Sequence, residues 1–176
     1  DMVIERLTKA LAEVADHSLK ADLCYQLASA HYSKGEFETA ARQFEKLLAD
    51  YPKSTLRASM YFQAGESRLK CKETVAARSH YAAGMKIGGL ENTLAESMMM
   101  RLSEMQSATA DHKGARKTYR EFLGRFRESQ WTRNAQFGLA WAMENSDDPK
   151  NAIPEYSKLL DPKAEIDLWT VRARFQ

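Results

Sequence analysis

Cysteine and proline are scarce in this chain, long apolar runs are missing, and neither sign of charge dominates. Each scarcity removes a class of protein. Two cysteines in 176 residues cannot build a disulfide framework. Cys24 is expected mid-helix and Cys71 near a helix end in successive copies of the pattern described below, an axial offset of about ten residues or ~15 Å. A disulfide needs Cα atoms within about 7 Å, so two free, structural thiols are expected, a state that leaves the redox compartment open. No segment approaches the ~18 consecutive apolar residues of a membrane span, and no charged-then-apolar leader opens the chain. The chain begins at Asp1, inside a repeat, which is compatible with a leader or lipid anchor further upstream. The formal net charge of +2 is too small to point to nucleic acid or acidic lipid as a general partner.

Chemistry-bearing spacings are also missing. His17, His31, His80 and His112 fall in four different helices or turns, with no His-x-x-x-His or Cys-x-x-Cys pair, so no zinc site is expected. There is no phosphate-cradling glycine loop and no nucleophile elbow. No cofactor is implied, and binding is expected rather than catalysis. Met98, Met99, Met100 and Met105 suggest a soft metal or pliable-ligand surface. Three consecutive methionines on a helix point in different directions, however, which makes most of them core filler.

What the chain does have is a period. Ala40, Ala77, Ala115 and Ala152 are separated by 37, 38 and 37 residues, and each is followed four positions later by an aromatic residue: Phe44, Tyr81, Tyr119 and Tyr156. Residues at i and i+4 share one helix face, where the alanine admits a neighbouring helix and the ring fills the space beside it. A partial copy precedes these, because Leu7, Leu11, Leu19 and Ala21 stand 37 residues before Phe44, Leu48, Leu56 and Ala58. Such a period marks a helical repeat array of about five stacked helix pairs, whose units bury their apolar faces only against one another. With 44% hydrophobic and 28% charged residues, the whole chain is expected to fold.

Within a copy, the apolar spacing predicts a helix A over 21–34, stopped by Gly35, and a helix B over 37–50, closed by Tyr51-Pro52-Lys53-Ser54. Gly88-Gly89 supplies the stop in the next copy. Phe126-Arg127-Glu128-Ser129 keeps the shape of the first closing turn without its proline, so a softer boundary is expected there. In the fourth copy Pro154 is tolerable only in a first helical turn, which places the start of helix B near Asn151 as a possible N-cap. An early turn follows at Asp161-Pro162, and 169–176 matches the opening of a further helix A. The array therefore divides into helix B of a partial repeat (1–17), repeats at 18–53, 54–90, 91–128 and 129–163, and a truncated helix A (164–176).

These residues resemble the tetratricopeptide repeat over essentially the whole chain. Leu27-Ala28, Gly35, Ala40, Phe44 and Pro52 stand at the family's small, turn, alanine, aromatic and proline positions. Gly65, Ala77 and Tyr81 continue the pattern, followed by Leu102-Ser103, Ala115 and Tyr119, then Leu139-Ala140, Ala152 and Tyr156. Ser103 replaces the small Gly or Ala, several closing prolines are missing, and the period exceeds the usual 34 residues. The longer units and the Leu47-Leu48 to Ser54 turn look like the bacterial cell-envelope branch. The resemblance implies an all-α, right-handed superhelical solenoid acting as a protein-interaction scaffold or adaptor, periplasmic or envelope-associated, with a cytoplasmic location as the alternative.

In such proteins the A helices line a concave groove. Carried onto this chain, that gives a row at Tyr25, Phe62, Met100, Phe137 and Phe175, with Tyr32, Leu69 and Trp141 further along the same helices. Large apolar groups in a groove are what an extended or helical peptide uses as anchors, although each also suits the seam between adjacent A helices. Asp22, Glu66, Lys70, Glu104, Glu144 and Arg172 are the polar neighbours, and their acidic balance favours a ligand of some basic character. The carboxylate clamp of chaperone adaptors, which uses lysine and asparagine, does not fit an aromatic and methionine row.

A basic stretch, Lys113, Arg116, Lys117, Arg120, Arg125, Arg127 and Arg133, is offset by Asp111, Glu121 and Glu128 and raises nucleic acid as an alternative partner. Most of it falls on helix B, where solvated charge is ordinary, and no stacking aromatics are interleaved. A recruiting domain of a larger enzyme is a further alternative. Both ends of the array are incomplete, so exposed apolar helix surface is expected to drive self-association.

Overall fold

A computed structural model describes residues 2–160. Among these residues there are nine α-helices, one short 3-10 turn and no strand. The helices are α1 (Met2–Glu13), α2 (His17–Ser33), α3 (Phe37–Asp50), α4 (Arg57–Lys70), α5 (Thr74–Gly84), α6 (Asn92–Ala108), α7 (His112–Arg125), α8 (Thr132–Glu144) and α9 (Ala152–Ser157). The chain divides into two compact units between Leu94 and Ala95. Asp161-Pro162, the expected helix at 169–176, and with it Arg172 and Phe175, lie outside the described residues.

In the first unit α2 packs on α3, α3 on α4 and α4 on α5, so each interior helix serves two neighbours. The periodic residues make this possible: Ala40, Phe44, Ala77 and Tyr81 are all fully buried. One cluster joins Ala28 of α2, Ala40, Phe44 and Leu47 of α3, and Met60 and Ala64 of α4. Small residues on the A helices admit the rings; a Cβ on Gly65 would meet the Tyr81 ring at 2.6–2.9 Å, inside van der Waals contact. α1 packs mainly against α2 and buries no residue. α2 starts at His17 rather than Ala21, because Asp16 caps it by accepting a hydrogen bond from the Leu19 N–H at 2.8 Å, so His17 and His31, expected in different elements, share one helix.

The second unit uses the same scheme. Ala115, Tyr119, Ala152 and Tyr156 are buried, and the Tyr119 ring lies on Gly138 so closely that a Cβ there would collide with it. All four methionines of α6 are buried, as their pliable, unbranched shape suits. α9 starts late because its entry is built from prolines: a 3-10 turn runs Pro149–Asn151, and Pro154 falls in the first turn of the helix, where its missing N–H costs nothing. Asn151 flanks α9 without capping it, since its side chain bonds Asp148 instead.

Two turns recur with different residues. After α2, Gly35 takes φ +86° and the Glu36 N–H reaches back to the His31 carbonyl at 3.0 Å. The same back-bond runs from Glu73 to Arg68 (2.9 Å) and from Asp111 to Gln106 (2.8 Å), with Lys72 at φ 63° and Ala110 at φ 59° in the glycine's place. This is the Schellman closure of a helix, which favours glycine at the left-handed position. The closing turns also correspond: Ser54 Oγ accepts from the Leu56 N–H at 3.1 Å and Ser129 Oγ from the Trp131 N–H at 3.0 Å. The boundary expected to be softer for want of proline therefore has the same hydrogen-bonded frame, because serine rather than Pro52 is the shared element.

Candidate functional site

The expected groove residues fall into one set on each unit. In the first, Tyr25 and Tyr32 stand on α2 and Phe62, Glu66 and Leu69 on α4, all half-buried. The Tyr25 ring meets Phe44 edge-on at 5.4 Å, Tyr32 meets Phe37 at 5.2 Å, and Phe62 lies tilted on Tyr81 at 6.1 Å. Each A-helix ring thus braces a ring of helix B and leaves its other side to solvent, so packing and exposure are properties of the same side chain. Burial pushes the Tyr25 phenol up, opposed by hydrogen bonds with Gln63, Ser59 and Ser29. Glu66 Oε1 accepts a 2.6 Å bond from the Tyr81 hydroxyl.

In the second unit Met100, Glu104, Phe137 and Trp141 come together around one open hollow of about 230 Å³, with Tyr119, Gly138 and Asn134 completing its wall. Glycine creates it: with no side chain at 138, the Tyr119 ring drops onto the α8 backbone and the surface sinks between α6 and α8. Met100 is 5% exposed and forms the floor, so it is not an exposed anchor. Phe137 lies tilted against Tyr156 at 5.5 Å, repeating the Tyr25 and Phe62 contacts, and Trp141 stands edge-on to His112 at 5.3 Å. Glu104, one-third exposed, accepts from Arg101 at 3.1 Å. Burial, foremost, pushes the Tyr119 phenol up to about 12. Asn134 and Gly138 are absent from the expected groove row, and His112 draws notice in the sequence only as a possible metal ligand; Gly138, three residues before Trp141 on the same helix face, is the available signal.

The other polar neighbours are dispersed. Asp22 and Lys70 are exposed, and Glu144 accepts from the Tyr156 hydroxyl at 2.7 Å. The basic stretch is largely engaged within the second unit: Lys113 pairs with Asp147 at 3.1 Å, Arg116 with Asp148 at 3.0 Å, Arg125 lies over the Phe126 ring at 5.0 Å, and Arg133 donates to the Leu159 carbonyl at 3.3 Å. Cys24 and Cys71 are free thiols, and burial raises the pKa of both. No helix of the described residues is long and apolar enough to cross a membrane.

Residues 24–54 match the tetratricopeptide repeat family. No protein of curated function matches the chain in sequence. Several solved structures share its fold. A structure of the MamA protein superposes with a TM-score of 0.71 at 18% identity, covering 94% of this chain and 86% of that one. YrrB, described as a tetratricopeptide protein with an unusual peptide-binding site, gives 0.69 at 18%, covering 91% and 76%. The apo form of RapI gives 0.76 at 14%, covering 97% of this chain and 51% of that one, so the chain spans about half of RapI. These likenesses establish the fold as all-α, of the tetratricopeptide solenoid kind.

Proposed function

We propose that this chain, which has the tetratricopeptide-repeat fold and carries a match to that repeat at residues 24–54, is a binding scaffold that holds a peptide or protein segment on its A-helix faces rather than an enzyme. The hollow formed by Met100, Glu104, Phe137 and Trp141 carries the reading. It offers two half-exposed rings as apolar anchors, a methionine floor that adapts to shape, and a carboxylate at the edge for a basic group or a backbone N–H. Tyr25, Tyr32, Phe62, Glu66 and Leu69 form the corresponding face of the first unit. YrrB, a relative in fold, is itself described as binding peptide, which supports the same use here.

The repeat divisions at 18–53, 54–90, 91–128 and 129–163 belong to the same proposal, as does an envelope-associated location suggested by the long period and the Tyr51–Ser54 turn; cell fractionation tests the location. Nucleic acid is the weaker alternative because two members of the basic stretch, Lys113 and Arg116, are already paired with Asp147 and Asp148. The decisive experiment is crosslinking capture from a peptide library, with Trp141→Ala and Phe62→Ala alongside the unaltered chain. Reduced capture by Trp141→Ala, with helicity preserved, is expected. Equal capture by all three proteins would remove the site assignment.

A further inference from the structure

Between α1 and α3, over α2, lies a second hollow of about 470 Å³ that the A-helix faces do not include. Leu11, Cys24, Leu27, Leu47 and Tyr51 give it an apolar wall. Gln43 lines it, and Lys20, Lys46 and Asp50 stand around it. Its size falls within the range of about 300–1,000 Å³ typical of small-molecule sites.

The repeat explains why the space is there. Position 24 corresponds to Tyr61, Met99 and Gln136 in the later copies, and position 43 to His80, Thr118 and Glu155. In the second copy these two positions touch, with the Tyr61 and His80 rings 6.3 Å apart and the Arg57 guanidinium 5.7 Å above Tyr61. They touch again in the fourth, where Gln136 Nε2 donates to Glu155 Oε2 at 2.6 Å. The first copy has a cysteine at this place, and the thiol is too short to fill what a tyrosine ring fills next door. Gln43 Oε1 is buried with no hydrogen-bond partner, so no bond holds that oxygen against turning toward a donor in the hollow. Of the later copies only the second carries a ring with a hydroxyl at this place, and it is that ring which the first copy lacks. Two ammonium groups against one carboxylate around the hollow favour an anionic substituent on that ring.

We infer that this hollow is a binding site for a small hydroxyaryl carboxylate, its ring in the place that Tyr61 takes in the next copy, its hydroxyl donating to Gln43 Oε1 and its carboxylate directed to Lys20 and Lys46. The site is separate from the peptide-binding faces, and the two stand or fall independently.

The two cysteines provide the test. Cys24 lines the hollow and Cys71 does not, so alkylation by iodoacetamide, followed residue by residue by mass spectrometry on the whole chain, reads occupancy with an internal control. With 4-hydroxybenzoate at ten times its calorimetric Kd, Cys24 should react about elevenfold more slowly, as 1 + [L]/Kd requires, while Cys71 keeps its rate. Benzylamine, with a phenyl ring that lacks the hydroxyl and with the opposite charge, should leave both rates unchanged. Cys24→Tyr should raise the melting temperature and abolish the heat of 4-hydroxybenzoate binding. Unchanged Cys24 alkylation at millimolar 4-hydroxybenzoate, equal slowing of both cysteines, or equal protection by benzylamine would each overturn the assignment. The alkylation measurement decides on the unaltered chain even if Cys24→Tyr does not fold.

Discussion

Gly65 and Gly138 show how much a single missing methyl group does here. The rings of Tyr81 and Tyr119 occupy the space where a Cβ would stand. Gly65→Ala must therefore displace a fully buried ring whose hydroxyl is tied to Glu66, and is expected to destabilise the first unit by about 1–3 kcal/mol, measured by urea denaturation. An increase in stability, as helix propensity alone would predict, would mean that the ring has somewhere else to go. Lys72 and Ala110 behave in the opposite way. Both take left-handed φ angles that Gly35 adopts without cost. Lys72→Gly and Ala110→Gly should each raise stability by about 0.5–1 kcal/mol, read as a higher denaturant midpoint with unchanged slope.

Among the helices, one guanidinium joins three elements. Arg68 of α4, with a side chain 14% exposed, donates to Glu45 of α3 through two bonds at 2.6 and 2.7 Å and also to Glu38 and Glu73. His80 of α5 meets Glu45 from the other side at 3.0 Å. Arg68→Met leaves three carboxylates facing one another, two of them half in water, so the expected loss is about 2 kcal/mol, between the values for surface and buried pairs. The pH dependence follows from Glu45. Burial opposes its ionisation, but the hydrogen bonds from Arg68 and His80 outweigh it and hold the pKa below the ordinary 4.5. A carboxyl depressed in the folded state contributes its full stability above the unfolded value and loses it as the pH falls through the folded one. The melting temperature should therefore drop on acidification below about pH 4.5, and the drop should be smaller in Arg68→Met. The closing turns make a separate prediction at this scale: Ser54→Ala and Ser129→Ala should each cost about 1 kcal/mol by loss of the turn hydrogen bond to the N–H two residues on.

Across the whole molecule, the legible part was the part set by the period. Ala40 with Phe44, and its three later counterparts, are buried as an i, i+4 pair on one face requires. α3 runs from Phe37 to Asp50, the limits its apolar spacing and Pro52 dictate. Left-handed turns at Lys72 and Ala110 were not legible, because neither residue signals such a conformation; position in the repeat imposed it. The hollow beside Trp141 was half legible: Phe137 and Glu104 stand at positions that recur as Phe62 and Glu66, whereas its depth comes from Gly138 and Tyr119 meeting across two helices. The surface of α1, which buries none of its residues and exposes Met2 and Val3, supports a proposal of self-association. Light scattering over rising concentration should show a growing mean mass; a strict monomer throughout would count against it. Hydrogen exchange should likewise find α1 opening before α3 and α4.

The tyrosine hydroxyls have a consequence for how look-alike hairpins tell themselves apart. Tyr81 bonds Glu66, Tyr156 bonds Glu144, and the phenol of Tyr119 lies beside Ser103 and Ser107. Phe44 has no hydroxyl to place at all. A hairpin that docked in its neighbour's berth, or was traded with another molecule, would part a buried phenol from its hydrogen-bond partner. Four interchangeable-looking plugs are thereby keyed to different sockets, and the chain is protected against assembling in the wrong order.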